Sequence, residues 1–167
     1  NYTGVDTDND GIGNTLHPID SQNVDHYPLM GMFSSHHTPL NQDVNLVSNS
    51  TIDSFEYTQP NTIRFQASST SANQTTGFCR MAIPHVLIDP ANGSIQVIID
   101  NGQAQTLSLN NTLYDNGTYR WIYFTYKHST HQILIVPEFP PSLILPLFIA
   151  ATAFVTLAHK KRRARMH

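Results

Sequence analysis

Three aspartates near the start of the chain have the type and spacing that could bind a metal ion. Asp6, Asp8 and Asp10 stand two residues apart, and Gly11 follows them. Carboxylates at this spacing, followed by a glycine that permits a sharp turn, can fold their oxygen atoms around a hard cation. The pattern therefore predicts a calcium loop.

Analogy with the EF-hand loop supplies further ligands but fails at one position. Ile12 would offer its backbone carbonyl and Asn14 its side chain, whereas the twelfth position, normally a bidentate Glu, is His17. No helical period flanks the loop, so we exclude an EF-hand pair and expect a non-helical calcium loop. Asp20 or Asp25 would supply the closing carboxylate. A turn rich in Asp, Asn and Gly that binds nothing is the alternative.

Cysteine and histidine offer other chemistry. Cys79 could be a nucleophile with a histidine as its base, but it stands within a strand-like pattern, where a lone cysteine is typical of a core. Imidazole suits copper, and a neighbouring pair of histidines invites a copper site. The candidate copper ligands are His17, His26, His36 and His37. Solvated histidines are the alternative, and we predict no catalytic site in this chain.

Charge is distributed unevenly along the sequence. All twelve acidic residues but only four of the nine lysines and arginines precede residue 142, which gives that part a net charge of −8. Phosphate binding needs a basic face, so this balance argues against nucleic acid as a partner. It favours cation binding or an acidic extracellular surface.

Residues 142–158 contain no charged side chain. At 1.5 Å per residue, a helix of about 17 apolar residues is near the minimum for spanning a bilayer core. Five cations follow in the tail 159–167, and basic residues beside a span stay in the cytoplasm. The sequence predicts a single-pass membrane protein whose preceding part lies outside the cell. A buried core helix with a basic end is the alternative.

A proline-rich motif at residues 137–141 precedes this segment, and it contains Pro137, Glu138, Phe139 and Pro140. With the short apolar segment and the basic tail, it is similar to archaeal C-terminal sorting signals of the PEF type. In those signals a membrane-embedded transpeptidase cuts near the motif. The resemblance implies such a transpeptidase as a partner, and a plain retained anchor is the alternative.

The first thirty residues carry a second resemblance. Residues 1–14 (Asn-Tyr-Thr-Gly-Val-Asp-Thr-Asp-Asn-Asp-Gly-Ile-Gly-Asn), 18–20 (Pro-Ile-Asp) and 23–30 (Asn-Val-Asp-His-Tyr-Pro-Leu-Met) are similar to the closing segment of NosD-type right-handed parallel β-helix proteins of archaeal surfaces. The resemblance implies that stacked β-helix coils precede residue 1 in a longer chain. Residues 1–30 would then be an irregular cap. Asn14 departs from the family pattern, in which Asp is common.

The middle of the chain has the pattern of short strands. Residues 31–40 have neither a helical nor a strand period, so we expect a linker there. β-branched and aromatic runs then recur about every ten residues, and several alternate apolar with polar side chains, as half-buried strands do. The predicted strands are 44–47, 52–57, 62–65, 77–83, 94–99, 105–109, 119–126 and 132–136. This spacing predicts an antiparallel β-sandwich over residues 41–136.

Turn signals separate these runs. Asn101-Gly102 is the strongest, since a type I′ hairpin turn needs positive φ at both central positions. Asn92-Gly93 and Asn116-Gly117 are further turns, and residues 84–89 suit one helical turn. Glycosylation sequons begin at Asn49, Asn73, Asn92, Asn110 and Asn116, and also at Asn1.

Together these patterns predict a mainly β protein with a β-helix cap at 1–30, a sandwich at 41–136 and a transmembrane helix at 142–158. We expect the anchoring end of an extracellular surface protein, with no enzyme activity of its own. The resemblance to carbohydrate-binding β-helices implies surface polysaccharide as a partner of the parent protein. Alternatives are a NosD-type copper-handling protein and a surface carbohydrate-active enzyme whose catalytic part lies outside this sequence.

Overall fold

Antiparallel strands make up most of the chain that the computed structural model describes, which comprises residues 4–8, 10–70, 75–90, 94–108, 114–127, 129–138 and 152. A two-stranded ladder, β1 (His17–Pro18) with β2 (Val24–Asp25), lies in the N-terminal module, residues 4–30. Two five-stranded sheets follow. The mainly β prediction is confirmed.

Each sheet is assembled largely from antiparallel hairpins. The first sheet has the order β10 (Tyr114–Asp115), β11 (Tyr119–Lys127), β7 (Thr76–Pro84), β4 (Asp43–Ser48) and β3 (Met32–His37). The second has the order β5 (Thr51–Thr58), β6 (Thr62–Ser68), β12 (His131–Pro137), β8 (Ser94–Ile99) and β9 (Gln105–Ser108). The chain crosses repeatedly between the sheets, so neither sheet is a continuous segment.

Alternating side chains explain why the sheets form two layers. In β6, Ile63, Phe65 and Ala67 are buried while Arg64 and Gln66 are exposed. Since successive side chains point to opposite faces of a strand, one face of β6 is apolar and must be covered. The buried residues of both sheets form one hydrophobic cluster, which is the architecture of a β-sandwich.

Every predicted strand is present, but the predicted boundaries need correction. The expected linker 31–40 contains β3, which pairs with β4 along its whole length. The inner positions of β3 include Ser34 and His36, so no apolar alternation marks the strand in the sequence. The short β10 was also missed, and β12 runs to Pro137, one residue past the predicted end of the sandwich.

Two predicted turns are found close to where they were expected. Positive φ occurs at Asp100 (51°) and Asn101 (57°), one position earlier than the Asn101-Gly102 prediction. The Gly102 N–H donates to the Ile99 carbonyl at 2.8 Å, which closes this turn. Gly117 has a φ of 79° in the β10–β11 turn, as the Asn116-Gly117 signal indicated. Asn92-Gly93 lies outside the described residues.

The predicted membrane helix falls on residues 142–158, of which only Thr152 is described. In the part of the chain that can be described, no helix has the length and apolar character needed to cross a bilayer.

Candidate metal site and its surroundings

The aspartate loop brings its three carboxylates together. One carboxylate oxygen from each of Asp6, Asp8 and Asp10 lies within 4.8 Å of the other two. Asp8 is exposed, and Asp6 and Asp10 are half-buried. Three hard oxygen donors at this separation suit Ca²⁺, which binds oxygen at about 2.3–2.6 Å, so a small inward movement would complete the contacts.

Hydrogen bonds within the loop hold these side chains in place. The Asp6 carboxylate accepts from the N–H groups of Asp10 (3.1 Å) and Gly11 (2.9 Å). The Asp10 carboxylate accepts from the Ile12 N–H at 2.7 Å. Asn14 Oδ1 accepts from the Thr7 N–H (2.6 Å) and hydroxyl (2.9 Å). The loop is therefore already folded around the carboxylates.

The loop rests on the outer face of the first sheet. A Cβ added to Gly11, whose φ is +81°, would lie 3.1 Å from both Cβ and Cδ of Arg80 and 3.4 Å from Cε2 of Phe78. The Gly11 carbonyl accepts from the Met30 N–H at 3.0 Å. Because Met30 leads directly into β3, the loop is joined to the sheet through its backbone and through close packing.

Charge from the aspartates acts on this sheet. Burial, followed by the negative charges of Asp6 and Asp10, raises the pKa of Tyr123 to about 12. Burial lowers the pKa of Arg80, and Asp10 opposes that shift. The carboxylate cluster and the outer face of β7 and β11 are therefore electrostatically coupled.

Asp20 and Asp25 do not join the cluster. Asp20 accepts from Asn23 Nδ2 (2.7 Å) and from the N–H groups of Gln22 and Asn23 (both 2.8 Å), and these bonds lower its pKa. Asp25 accepts from the Tyr27 N–H at 2.9 Å. Each of these carboxylates stabilises a local turn, so the closing ligand expected from them is not present in this geometry.

The histidines proposed for copper do not join any group of three or more potential ligands among the described residues. His36 stacks on Phe55 with ring centroids 4.2 Å apart, and burial lowers its pKa. His37 pairs with Asp43 at 2.7 Å. Among the described residues, Asp6, Asp8 and Asp10 form the one group of three or more potential ligands this close together.

Cys79 is a core residue. Its side chain is fully buried, and burial raises the pKa of the thiol to about 12. Its sulfur lies 3.7 Å from Ser48 Oγ and 3.8 Å from the Tyr126 hydroxyl. The burial agrees with the core position expected from its strand pattern.

A Ser-His-Asp arrangement that the sequence did not predict lies where the central strand β12 of the second sheet begins. Ser129 Oγ is 2.8 Å from His131 Nε2, and His131 Nδ1 is 2.6 Å from Asp100 Oδ2. The Lys127 carbonyl is also 2.5 Å from His131 Nε2. Ser129 and the Lys127 carbonyl therefore contact the same ring nitrogen of His131. The arrangement joins the β8–β9 turn to the β11–β12 connection.

A cluster of charged side chains lies at the opposite end of the sandwich from this arrangement. The buried Arg120 donates to Asp115 at 3.0 Å and to Asp89 at 3.3 Å. His85 Nε2 lies 3.0 Å from the same Asp115 carboxylate. Burial alone would raise the pKa of Asp115, but the Gly117 N–H, His85 and Arg120 together lower it. These contacts tie the turn after β7 to the β10–β11 hairpin.

Two of the predicted glycosylation sites, Asn49 and Asn116, make hydrogen bonds within the fold. Asn49 Nδ2 donates to the Thr76 carbonyl at 3.0 Å, and its Oδ1 accepts from the Phe78 N–H at 2.9 Å. Both polar atoms of this side chain therefore bridge to β7. Asn116 is exposed, and Oδ1 caps its own turn. The sequons at Asn1, Asn73, Asn92 and Asn110 lie outside the described residues.

The sorting motif begins within the second sheet. Pro137 is buried and pairs with Ile95 of β8, and the Glu138 N–H donates to the Ser94 carbonyl at 2.9 Å. Phe139 and Pro140 lie outside the described residues. Comparisons with protein-family models, with curated proteins and with solved structures find no match.

Proposed function

We propose that this chain is the membrane-proximal part of an extracellular surface protein, in which a β-sandwich carries a calcium-stabilised N-terminal module. The sandwich acts as a spacer, and the C-terminal segment is the tether. The ligand-binding or adhesive activity of the parent protein would lie in a preceding β-helix, with surface polysaccharide as its partner.

The convergence of Asp6, Asp8 and Asp10 is the observation that supports this proposal best. A cation between them offsets the repulsion of three carboxylates, two of which also act on the sheet beneath. Extracellular modules bind Ca²⁺ with dissociation constants of about 10⁻⁴ to 10⁻³ M, which suits a loop with few protein ligands.

The tether is supported by the sequence. An uncharged segment at 142–158 and five following cations are typical of a single membrane span with a cytoplasmic tail. β12 ends at Pro137, so few residues separate the sandwich from this segment. The sandwich would then stand close to the membrane surface.

Cation binding is tested with Tb³⁺, which takes the same hard oxygen ligands and emits when a nearby aromatic ring transfers energy to it. We expect Tb³⁺ emission on excitation of the aromatic residues, displacement by millimolar Ca²⁺, and loss of the signal in Asp8→Asn. Asp53→Asn, at an exposed carboxylate on β5, is the control. Equal signals from both variants would contradict the calcium loop.

The tether is tested by floating the whole chain with liposomes in high salt. Wild type should float, whereas a Phe148→Arg, Thr152→Arg double variant should stay below the lipid, because each arginine near the centre of the segment costs about 2.5–3.5 kcal/mol on the insertion scale. A wild-type chain that stays below the lipid would contradict the anchoring role.

A further inference from the structure

A concave site lies beside the aspartate loop, on the face of the first sheet that points away from the core. It crosses strands β11, β7, β4 and β3 and has a volume of about 400 Å³. We call it the outer groove, and it is lined by Leu29, Phe33, Asn45, Arg80, Tyr119 and Trp121 among others. Its volume is within the range of small-molecule sites, about 300–1,000 Å³.

Strand register explains how the groove is built. Trp121 pairs with Ala82, and Ala82 pairs with Asn45, so these three side chains form one row across the sheet. Arg80 and Phe33 both pair with Val47, which forms the next row. The small side chain of Ala82 leaves a depression between the aromatic wall on β11 and Phe33 on the edge strand.

Aromatic side chains give the groove its apolar surface. Tyr119 and Trp121 lie on one side with ring centroids 6.0 Å apart and planes tilted by 45°. Phe33, on the opposite side, is 58% exposed. The apolar faces of a pyranose ring pack against aromatic rings of this kind, and the Asn45 amide can donate to or accept from hydroxyl groups.

Arg80 gives the groove a positive charge for which the described part of the chain supplies no ion-pair partner. Its Nε is buried without a hydrogen-bond partner. Among the described residues, its guanidinium makes no ion pair within 4 Å, and Asp10 acts on it only through space. A partly buried charge without a counter-ion is costly, and a carboxylate is the natural bidentate partner of a guanidinium.

We infer that the outer groove binds an acidic pyranose sugar, such as the uronic acid unit of a polysaccharide. The sugar ring would stack on the aromatic wall, its carboxylate would pair with Arg80, and Asn45 would bind a hydroxyl. This inference goes beyond the proposed function and requires neither the calcium site nor the membrane tether.

The test uses the fluorescence of Trp121, which is the only tryptophan of the chain. Trigalacturonate is titrated into the whole chain in a detergent without a sugar headgroup. EGTA is present, so that neither calcium bound by the uronate nor calcium bound by the aspartate loop contributes to the signal. We expect a saturable change in Trp121 emission, and an affinity at least about tenfold lower, or 1.4 kcal/mol, for the methyl-esterified trisaccharide.

Matched variants locate the binding site. Arg80→Gln should weaken trigalacturonate binding at least about tenfold, whereas Arg64→Gln, an exposed arginine on the other sheet, should leave it unchanged. Phe33→Ala, at an exposed position, should weaken both the acid and the ester. Near-UV circular dichroism checks that each variant folds.

Three results would overturn the inference. One is the absence of a saturable change up to about 10 mM trigalacturonate, which is about ten times a millimolar dissociation constant. Another is equal affinity for the acid and the ester. The third is unchanged binding in a folded Arg80→Gln variant. If Arg80→Gln does not fold, the ester and Phe33→Ala decide the question.

Discussion

In the sandwich, strands such as β6 and β12 bury every second side chain, whereas the N-terminal module leaves most of its large apolar side chains in solvent. Ile19 is 67% exposed and Tyr27 is 75% exposed, while Phe65 and Ile135 of the sandwich are almost completely buried. Burial of apolar surface is the main source of folding free energy. The module must therefore depend on hydrogen bonds, close packing and charge, which a bound cation can alter.

The comparison predicts that truncating a core side chain lowers the free energy of unfolding most. Phe65→Ala should lower the free energy of unfolding by about 3–5 kcal/mol, because it leaves a cavity in the hydrophobic cluster. Phe33→Ala makes the same change at an exposed position and should cost about 0.5 kcal/mol or less. Urea denaturation measures both, and equal losses would contradict the assignment of the core.

A smaller effect is expected at the contact between the module and the sheet. Gly11 and Gly117 both have positive φ, but only Gly11 faces atoms that an added Cβ would crowd. Alanine should cost about 1–2 kcal/mol at either position through backbone strain. Gly11→Ala should in addition speed amide exchange at Gly13 and Met30, whose N–H groups hold the module together. If Gly117→Ala has the same effect on these amides, the module does not depend on that contact.

The smallest expected effect is on the loss of stability at acidic pH. Hydrogen bonds from His131 and from the Gln132 N–H lower the pKa of Asp100 below its unfolded value of about 3.9. A lowered folded pKa stabilises the protein above about pH 4, and this contribution is lost as the pH falls through the folded value. Asp100→Asn should therefore reduce the loss of stability between neutral and acidic pH. Asp53→Asn is the control, and denaturation at pH 7 and pH 3 gives both differences.

Much of the sandwich could be predicted because its strands alternate apolar and polar residues. β3 could not, since its inner positions carry Ser34 and His36 and its pairing with β4 determines its structure. The turn after β8 lies one residue earlier than predicted. There the Asp100 carboxylate accepts from the Gln132 N–H at 2.8 Å, a contact 32 residues away that local turn propensities do not contain.

The candidate sites also differ in whether their residues are close in sequence or are brought together by the fold. The aspartate loop was visible because its residues are close in sequence, whereas the proposed closing ligand Asp20 instead stabilises its own turn. Asp100 meets Ser129 and His131 only through the sheet, and the outer groove collects residues from four strands and the module. Spacing along one sequence contains no signal for such non-local sites.

The central claim is that a cation on Asp6, Asp8 and Asp10 stabilises the N-terminal module and leaves the sandwich unchanged. Amide exchange of the whole chain with and without Ca²⁺ tests it most directly. At ten times the dissociation constant, Ca²⁺ should slow the Gly13 and Met30 amides by about tenfold in wild type. The Ile135 amide of β12 should keep its rate, and Asp8→Asn should abolish the slowing. Unchanged rates at Gly13 and Met30, or equal slowing in Asp8→Asn, would contradict the claim.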